Sequence, residues 1–147
     1  MADLWAWIEG SELAFQIGAT WWFPLLESLH VLGLALLLGS ILMLDLRLLG
    51  LTADHYRPED LALGMMGWVW LGFVIAVISG TGMFISRPSA YAANPAFQIK
   101  LLLLGVLGAN LLLYRIAAVS SAKIAATVSL VGWAGVVLAG RWTGHIN

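Results

Sequence analysis

Four long apolar runs constrain this chain more than any other feature. They cover roughly residues 21–44, 61–86, 96–119 and 122–142. A helix rises about 1.5 Å per residue, so about 20 apolar residues cross the roughly 30 Å of hydrocarbon in a bilayer. Each run reaches that length. None alternates polar with apolar residues, which is the pattern of a membrane barrel strand. Charged residues make up 10% of the chain and hydrophobic ones 61%, where an ordinary soluble domain carries about a quarter charged residues. So few charges cannot clothe a surface in water, and the mean hydropathy is +0.93. The expected fold class is all-α: an integral membrane, antiparallel four-helix bundle.

The connections between the runs are polar and carry helix breakers. "DLRLLGLTADHYRPED" joins the first two, with Pro58 ahead of an acidic pair. "RPSAYAANP" joins the second and third, with Pro88 and Pro95 in it, and a short "SSAK" makes the third and fourth a hairpin. Residues 1–20 differ from the remainder, 21–147. Leu4, Trp5, Ile8, Leu13, Phe15 and Ile17 are mixed there with Asp3, Glu9 and Glu12. That mixture predicts an amphipathic segment at the membrane interface, with Trp5 and Trp7 at headgroup depth and a break at Gly10-Ser11. The opening "MADLWAWIEG" lacks the basic and apolar regions of a cleaved signal peptide. Arg47, Arg57, Arg115 and Lys123 fall at one membrane face, and Arg87, Lys100 and Arg141 at the other. By the positive-inside rule, four against three places both termini outside the cytoplasm.

Several chemistries are excluded at once. A net charge of −1 offers no basic face to nucleic acid, so no nucleic-acid partner is expected. The absence of cysteine rules out a cysteine-ligated iron–sulfur cluster and covalent haem. There is no H-E-x-x-H, P-loop or G-x-S-x-G, hence no complete catalytic constellation, and the chain is not read as an enzyme by itself. The glycine-rich stretches lie inside apolar runs, where small residues let helices approach. Ala35 with Gly39, Gly105 with Ala109, and Gly135 with Ala139 are small-xxx-small pairs of this kind. They are expected to pack helices, within the chain or between copies. Asn110 and Tyr114, one turn apart, are expected to act as hydrogen-bonding glue.

The polar residues inside the runs are the candidate functional groups. Glu27 and His30 lie three steps apart, on one helix face. Asp45 lies 18 residues beyond Glu27, which at 100° per residue restores the same phase. A carboxylate facing lipid costs several kcal/mol, so the stripe is expected to face the bundle interior. In an antiparallel bundle this end also gathers Ser79, Thr81 and Ser86, then Gln98 and Lys100, then Arg141, Thr143 and His145. Asp45, Arg47, Tyr114, Arg115 and Lys123 at the other end look like ordinary helix-end residues. Three readings of the cluster are open. Glu27 pairs with Lys100 or Arg141 as a structural clamp; Glu27, His30, Gln98, Lys100 and Arg141 bind a ligand such as a quinone headgroup; or His30 ligates the iron of a b haem. His30 lies roughly 13–15 Å deeper than His145. That mismatch disfavours a bis-histidine haem within one chain and leaves a single-histidine or partner-shared haem.

"ESLHVLGLALLLGSILMLDLRLLG", with "YAANPAFQIKLLLL" and "LAGRW" downstream, resembles a group of small, uncharacterised four-helix bacterial membrane proteins. It is distantly similar to copper-resistance D-like proteins and small b-type cytochromes. The resemblance implies a multi-pass protein of the bacterial inner membrane and a redox role. In that group a histidine often follows an "N-x-L-L-aromatic" stretch; here "NLLLYR" has Arg115 instead, so only His30 carries over.

The expected function is a small membrane subunit. It anchors or serves electron transfer beside a quinone or haem, with the lipid bilayer, other membrane subunits or further copies of itself as partners. The alternatives are a non-catalytic assembly subunit and an oligomeric transporter or proton conductor using the Glu27/His30/Asp45 stripe.

Overall fold

The structure is a computed structural model that describes residues 2–53, 55–115 and 122–144. Among these residues there are seven helices and no strand. They are α1 (Ala2–Glu9), α2 (Glu12–Ala19), α3 (Trp22–Leu48), α4 (Pro58–Ser86), α5 (Pro88–Ala93), α6 (Pro95–Arg115) and α7 (Ala122–Thr143). α3, α4 and α7 are long and apolar enough to cross a membrane, and α6 holds a shorter apolar stretch over Pro95–Asn110.

Proline writes most of the starts. Pro58, Pro88 and Pro95 each open a helix at its first residue, and Pro24 sits in the first turn of α3. In that turn the missing N–H costs nothing, because no intrahelical acceptor is available to it. The residue before a proline is pushed out of the helical region. Arg87 (ψ 60) and Asn94 (ψ 118) accordingly end α4 and α5. α3 stops differently. Gly50 adopts φ +76, its N–H bonds to Arg47 O, and the Leu51 N–H bonds to Leu46 O, the pattern of a Schellman C-cap. The expected break at Gly10-Ser11 is present: α1 ends at Glu9, and Ser11 accepts from the Ala14 N–H to cap α2.

Some expected boundaries move. The first run continues as helix to Leu48, four residues past 44, because the apolar count stops at Asp45 while the helix needs only its cap at Gly50. α4 begins at Pro58 rather than 61, since a proline and two acids suit a first turn. The "RPSAYAANP" connection contains the helix α5. Residues 116–119 of the third run, and Ser120 and Ser121 of the short connection, lie outside the described residues.

Size is distributed inversely to a water-soluble core. The buried positions include Gly33, Gly72, Ala76, Ser79, Ala125 and Ala126. Large apolar side chains point outward: Leu63 is 80% exposed, Leu102 68% and Ile78 66%. In water such a surface would drive aggregation. In hydrocarbon it costs nothing, and small residues inside let backbones touch.

α3 packs on α4 and α7, α6 on α7, α2 on α3 and α4, and α1 on α5. At the α3–α4 contact, a Cβ added to Gly72 would lie 2.6 Å from the Leu37 nitrogen and 2.7 Å from the Gly33 oxygen. The two backbones therefore meet without side chains between them. α6 meets α7 through Leu103 on Gly135 and Leu107 on Gly132. Two asparagines bind that pair at its ends. Asn110 Nδ2 donates to Ala125 O at 3.1 Å, and Asn94 Nδ2 donates to Thr143 O at 3.1 Å. Of the expected packing residues, Gly135 packs and Ala139 is half-buried. Gly39 and Gly105 face open space and Ala109 is exposed, so these three do not join helices of this chain. Small-xxx-small spacing marks a face that admits close approach, but not whether a helix arrives there. The Tyr114 and Arg115 side chains lie outside the described residues.

Candidate functional site

The first third of α3 presents His30 to α4. Its Nδ1 lies 2.9 Å from Ala76 O and 3.2 Å from Ser79 Oγ. A carbonyl oxygen can only accept, so Nδ1 carries the proton. In the neutral ring Nε2 is then left with its lone pair. The Ser79 hydroxyl gives its hydrogen to Ile75 O at 2.6 Å, which leaves its oxygen free to accept from Nδ1. Ser79 is 2% exposed and held inside α4. One residue on, Gly80 makes room: a Cβ there would lie 3.0 Å from His30 Cε1 and 3.3 Å from Nδ1. The Cε1–Nδ1 edge of the ring thus meets a stretch of helix that carries no side chain. Nε2 is buried and has no hydrogen-bond partner among the described residues.

Lys100 of α6 is half-buried and lies close enough to act electrostatically on the His30 ring. Its aliphatic chain and Nζ rest 3.9–4.0 Å from where a Gly140 Cβ would be, so α7 offers it a smooth surface. The charge of Lys100 therefore reaches the His30 ring from α6.

The other expected members stand further out. Glu27 is exposed. Its charge reaches Tyr91 of α5, whose phenol is pushed above its ordinary value mainly by burial; Arg87 opposes that push and Glu27 adds to it. Tyr91 belongs to an aromatic cluster with Phe84 and Phe97, and Trp5 of α1 meets Phe84 edge-on at 5.5 Å. Ser89 donates to Glu9 at 2.6 Å and fixes α1 to α5 beside it. Gln98 is exposed and its amide donates to Ala92 O at 2.9 Å. Arg141 is exposed in the last turn of α7. The expected clamp of Glu27 with Lys100 or Arg141 is not formed. Among the described residues the one ion pair within 4.0 Å is Arg57–Glu59, at 3.8 Å. Lys100 rests along Gly140 instead, and an exposed Glu27 gains little from holding a long side chain in place. His145 lies outside the described residues.

Asp45 departs most from its reading as an ordinary helix-end residue. It is 6% exposed, its Oδ2 has no partner among the described residues, and Ser129 of α7 is near enough to influence its carboxyl group. Arg47, two residues away, donates instead to Tyr56 O at 2.8 Å. The helical phase shared with Glu27 and His30 was the signal for this burial. Ser129 carried no sequence signal, because its role depends on which helix lies opposite, whereas Gly80 continues the Gly72, Ala76, Gly80 small-residue spacing on α4.

Among the described residues no group of three or more His, Cys, Asp or Glu side chains could hold a metal ion. No family model, curated protein or solved structure matches the chain.

Proposed function

We propose that this chain is a small multi-pass subunit of a bacterial inner membrane complex, and that it holds the headgroup of a reduced quinone at His30. In this reading α3, α4, α6 and α7 form an antiparallel four-helix bundle across the bilayer. α1 and α2 lie at the interface, and the termini face away from the cytoplasm. Supporting it are the inverted distribution of large and small residues and the three helices of spanning length.

One observation carries the ligand assignment: the buried, unpartnered Nε2 of His30. A polar atom sealed without a partner costs about 1–3 kcal/mol. Here the Nδ1 bond to Ala76 O fixes which nitrogen is bare, and Gly80 leaves room for the ring edge. Such a site suits a ligand that brings a hydrogen-bond donor, and a quinol hydroxyl is one. The nearby Lys100 ammonium suits the same ligand, because it would stabilise negative charge left on the ring oxygen as a proton moves to Nε2. Oxidation also needs an electron acceptor in another subunit, so the chain acts as a binding and proton-handling part and not as an enzyme alone.

The same lone pair suits haem iron, with the second axial ligand from a partner chain. Protein purified from a bacterial membrane distinguishes the two by its lipid extract and optical spectrum. The expected result is near-stoichiometric quinone and no Soret band. A Soret band would replace quinone by a b haem, and neither quinone nor haem would overturn the ligand assignment. A non-catalytic assembly subunit is the second reading, favoured by Gly39 and Gly105, which face open space and would accept a helix from a neighbour. It requires His30→Ala to change complex yield and leave quinone content unchanged.

A further inference from the structure

A cleft of about 270 Å³ opens between α3 and α7, with Asp45 in its wall. Its other lining is apolar and includes Leu38, Leu42, Trp133, Ala134 and Val137, with Gly39 leaving one side open. Buried carboxylates are normally paired. Asp45 Oδ2 is buried without a hydrogen-bond partner among the described residues, and Ser129 lies near the carboxyl group. Among the described residues no cation pairs with it within 4.0 Å. The carboxyl lies in the last turn of α3, while Leu38 lies about 10 Å further in along the same helix.

We propose that this cleft binds a small amphiphilic organic cation, its ammonium on Asp45 and its apolar arm running inward past Leu42 and Trp133. The charge is complementary, and the indole of Trp133 adds a surface that attracts cations. The volume lies just below the roughly 300–1,000 Å³ usual for drug-sized ligands, so the site takes a single aryl or alkyl arm. Aspartate χ2 is a soft, roughly two-fold torsion, so a small turn presents the bare oxygen to an incoming ammonium. The site lies roughly 22 Å along α3 from His30, so each assignment stands or falls separately.

Calorimetric titration of the full chain in lipid nanodiscs with benzyltrimethylammonium tests this. Saturable one-to-one binding is expected. Phenylmethanesulfonate, with a similar body and an anionic head, is expected not to bind. Asp45→Asn keeps the shape and removes the charge, and is expected to weaken binding at least tenfold. Gly39→Leu fills the cleft from a position where an added Cβ meets nothing within 4 Å, so it folds and is expected to abolish binding. Helical circular dichroism checks both variants. No saturable binding to the native chain, equal binding of the sulfonate, a smaller loss in Asp45→Asn, or retained binding in Gly39→Leu would each overturn the proposal.

Discussion

Replacing Gly72 with leucine is expected to separate α3 from α4 and to unfold the protein under conditions where the native chain is stable. The three atoms nearest an added Cβ are Leu37 N at 2.6 Å, Gly33 O at 2.7 Å and Leu37 Cα at 3.0 Å. All three are backbone, so no side-chain tip can swing aside. Overpacking in an adaptable core costs roughly 1–3 kcal/mol. With a rigid helix opposite, Gly72→Ala should reach at least that range, and leucine should exceed it. Denaturant unfolding in mixed micelles measures the difference. Gly39→Ala and Gly105→Ala are the controls, since an added Cβ at either meets nothing within 4 Å; both are expected to stay within about 0.5 kcal/mol of the native chain or to gain slightly. Equal stability of Gly72→Ala and Gly39→Ala would show that the close α3–α4 contact is not real.

The second large effect is expected at His30. Removing its ring by His30→Ala deletes the acceptor offered to a quinol hydroxyl, and affinity for a short-chain quinol should fall about tenfold, or 1.4 kcal/mol. Affinity for the oxidised quinone should fall less, because its carbonyls need donors and Lys100 remains. Quinol and quinone titrations of the two proteins separate these contributions. A uniform loss for both redox forms would point to collapse of the pocket and not to a lost hydrogen bond. Gly72 and His30 are also coupled: Gly33, which meets Gly72, lies three residues from His30. A shift of an ångström between α3 and α4 would stretch the 2.9 Å contact to Ala76 O beyond hydrogen-bonding distance.

Much of the fold was legible because the bilayer imposes a length and proline imposes a start. The long helices follow from the apolar runs, and Pro58, Pro88 and Pro95 mark helix starts. The inward direction of His30 was legible from the cost of placing a polar group against lipid. What a single helix cannot encode is its crossing point with another. Gly33 and Gly72 sit at that point; Gly72 shares its spacing with Ala76 and Gly80, yet Gly39 and Gly105 have the same kind of spacing and face open space. The same limit explains Glu27 and Asp45. They share a phase on α3, yet Glu27 is exposed and Asp45 is buried. Phase sets direction around the axis; burial also requires a neighbour at that height. α7 supplies one to Asp45 through Ser129, and Glu27 has none that covers it. Glu27 had two cations to choose from in sequence terms, Lys100 and Arg141, and neither lies within 4.0 Å of it; Lys100 rests along Gly140 instead.

The measurement closest to the centre of this account is the protonation of the two His30 ring nitrogens. Solid-state NMR of the chain in lipid, labelled with nitrogen-15 at histidine and assigned with His30→Ala, resolves them. The expected spectrum shows a protonated Nδ1 and a bare, pyridine-like Nε2, with the Nε2 signal moving when quinol is added and not when quinone is added. A protonated Nε2 in the ligand-free protein, or an Nε2 signal indifferent to quinol, would contradict the account.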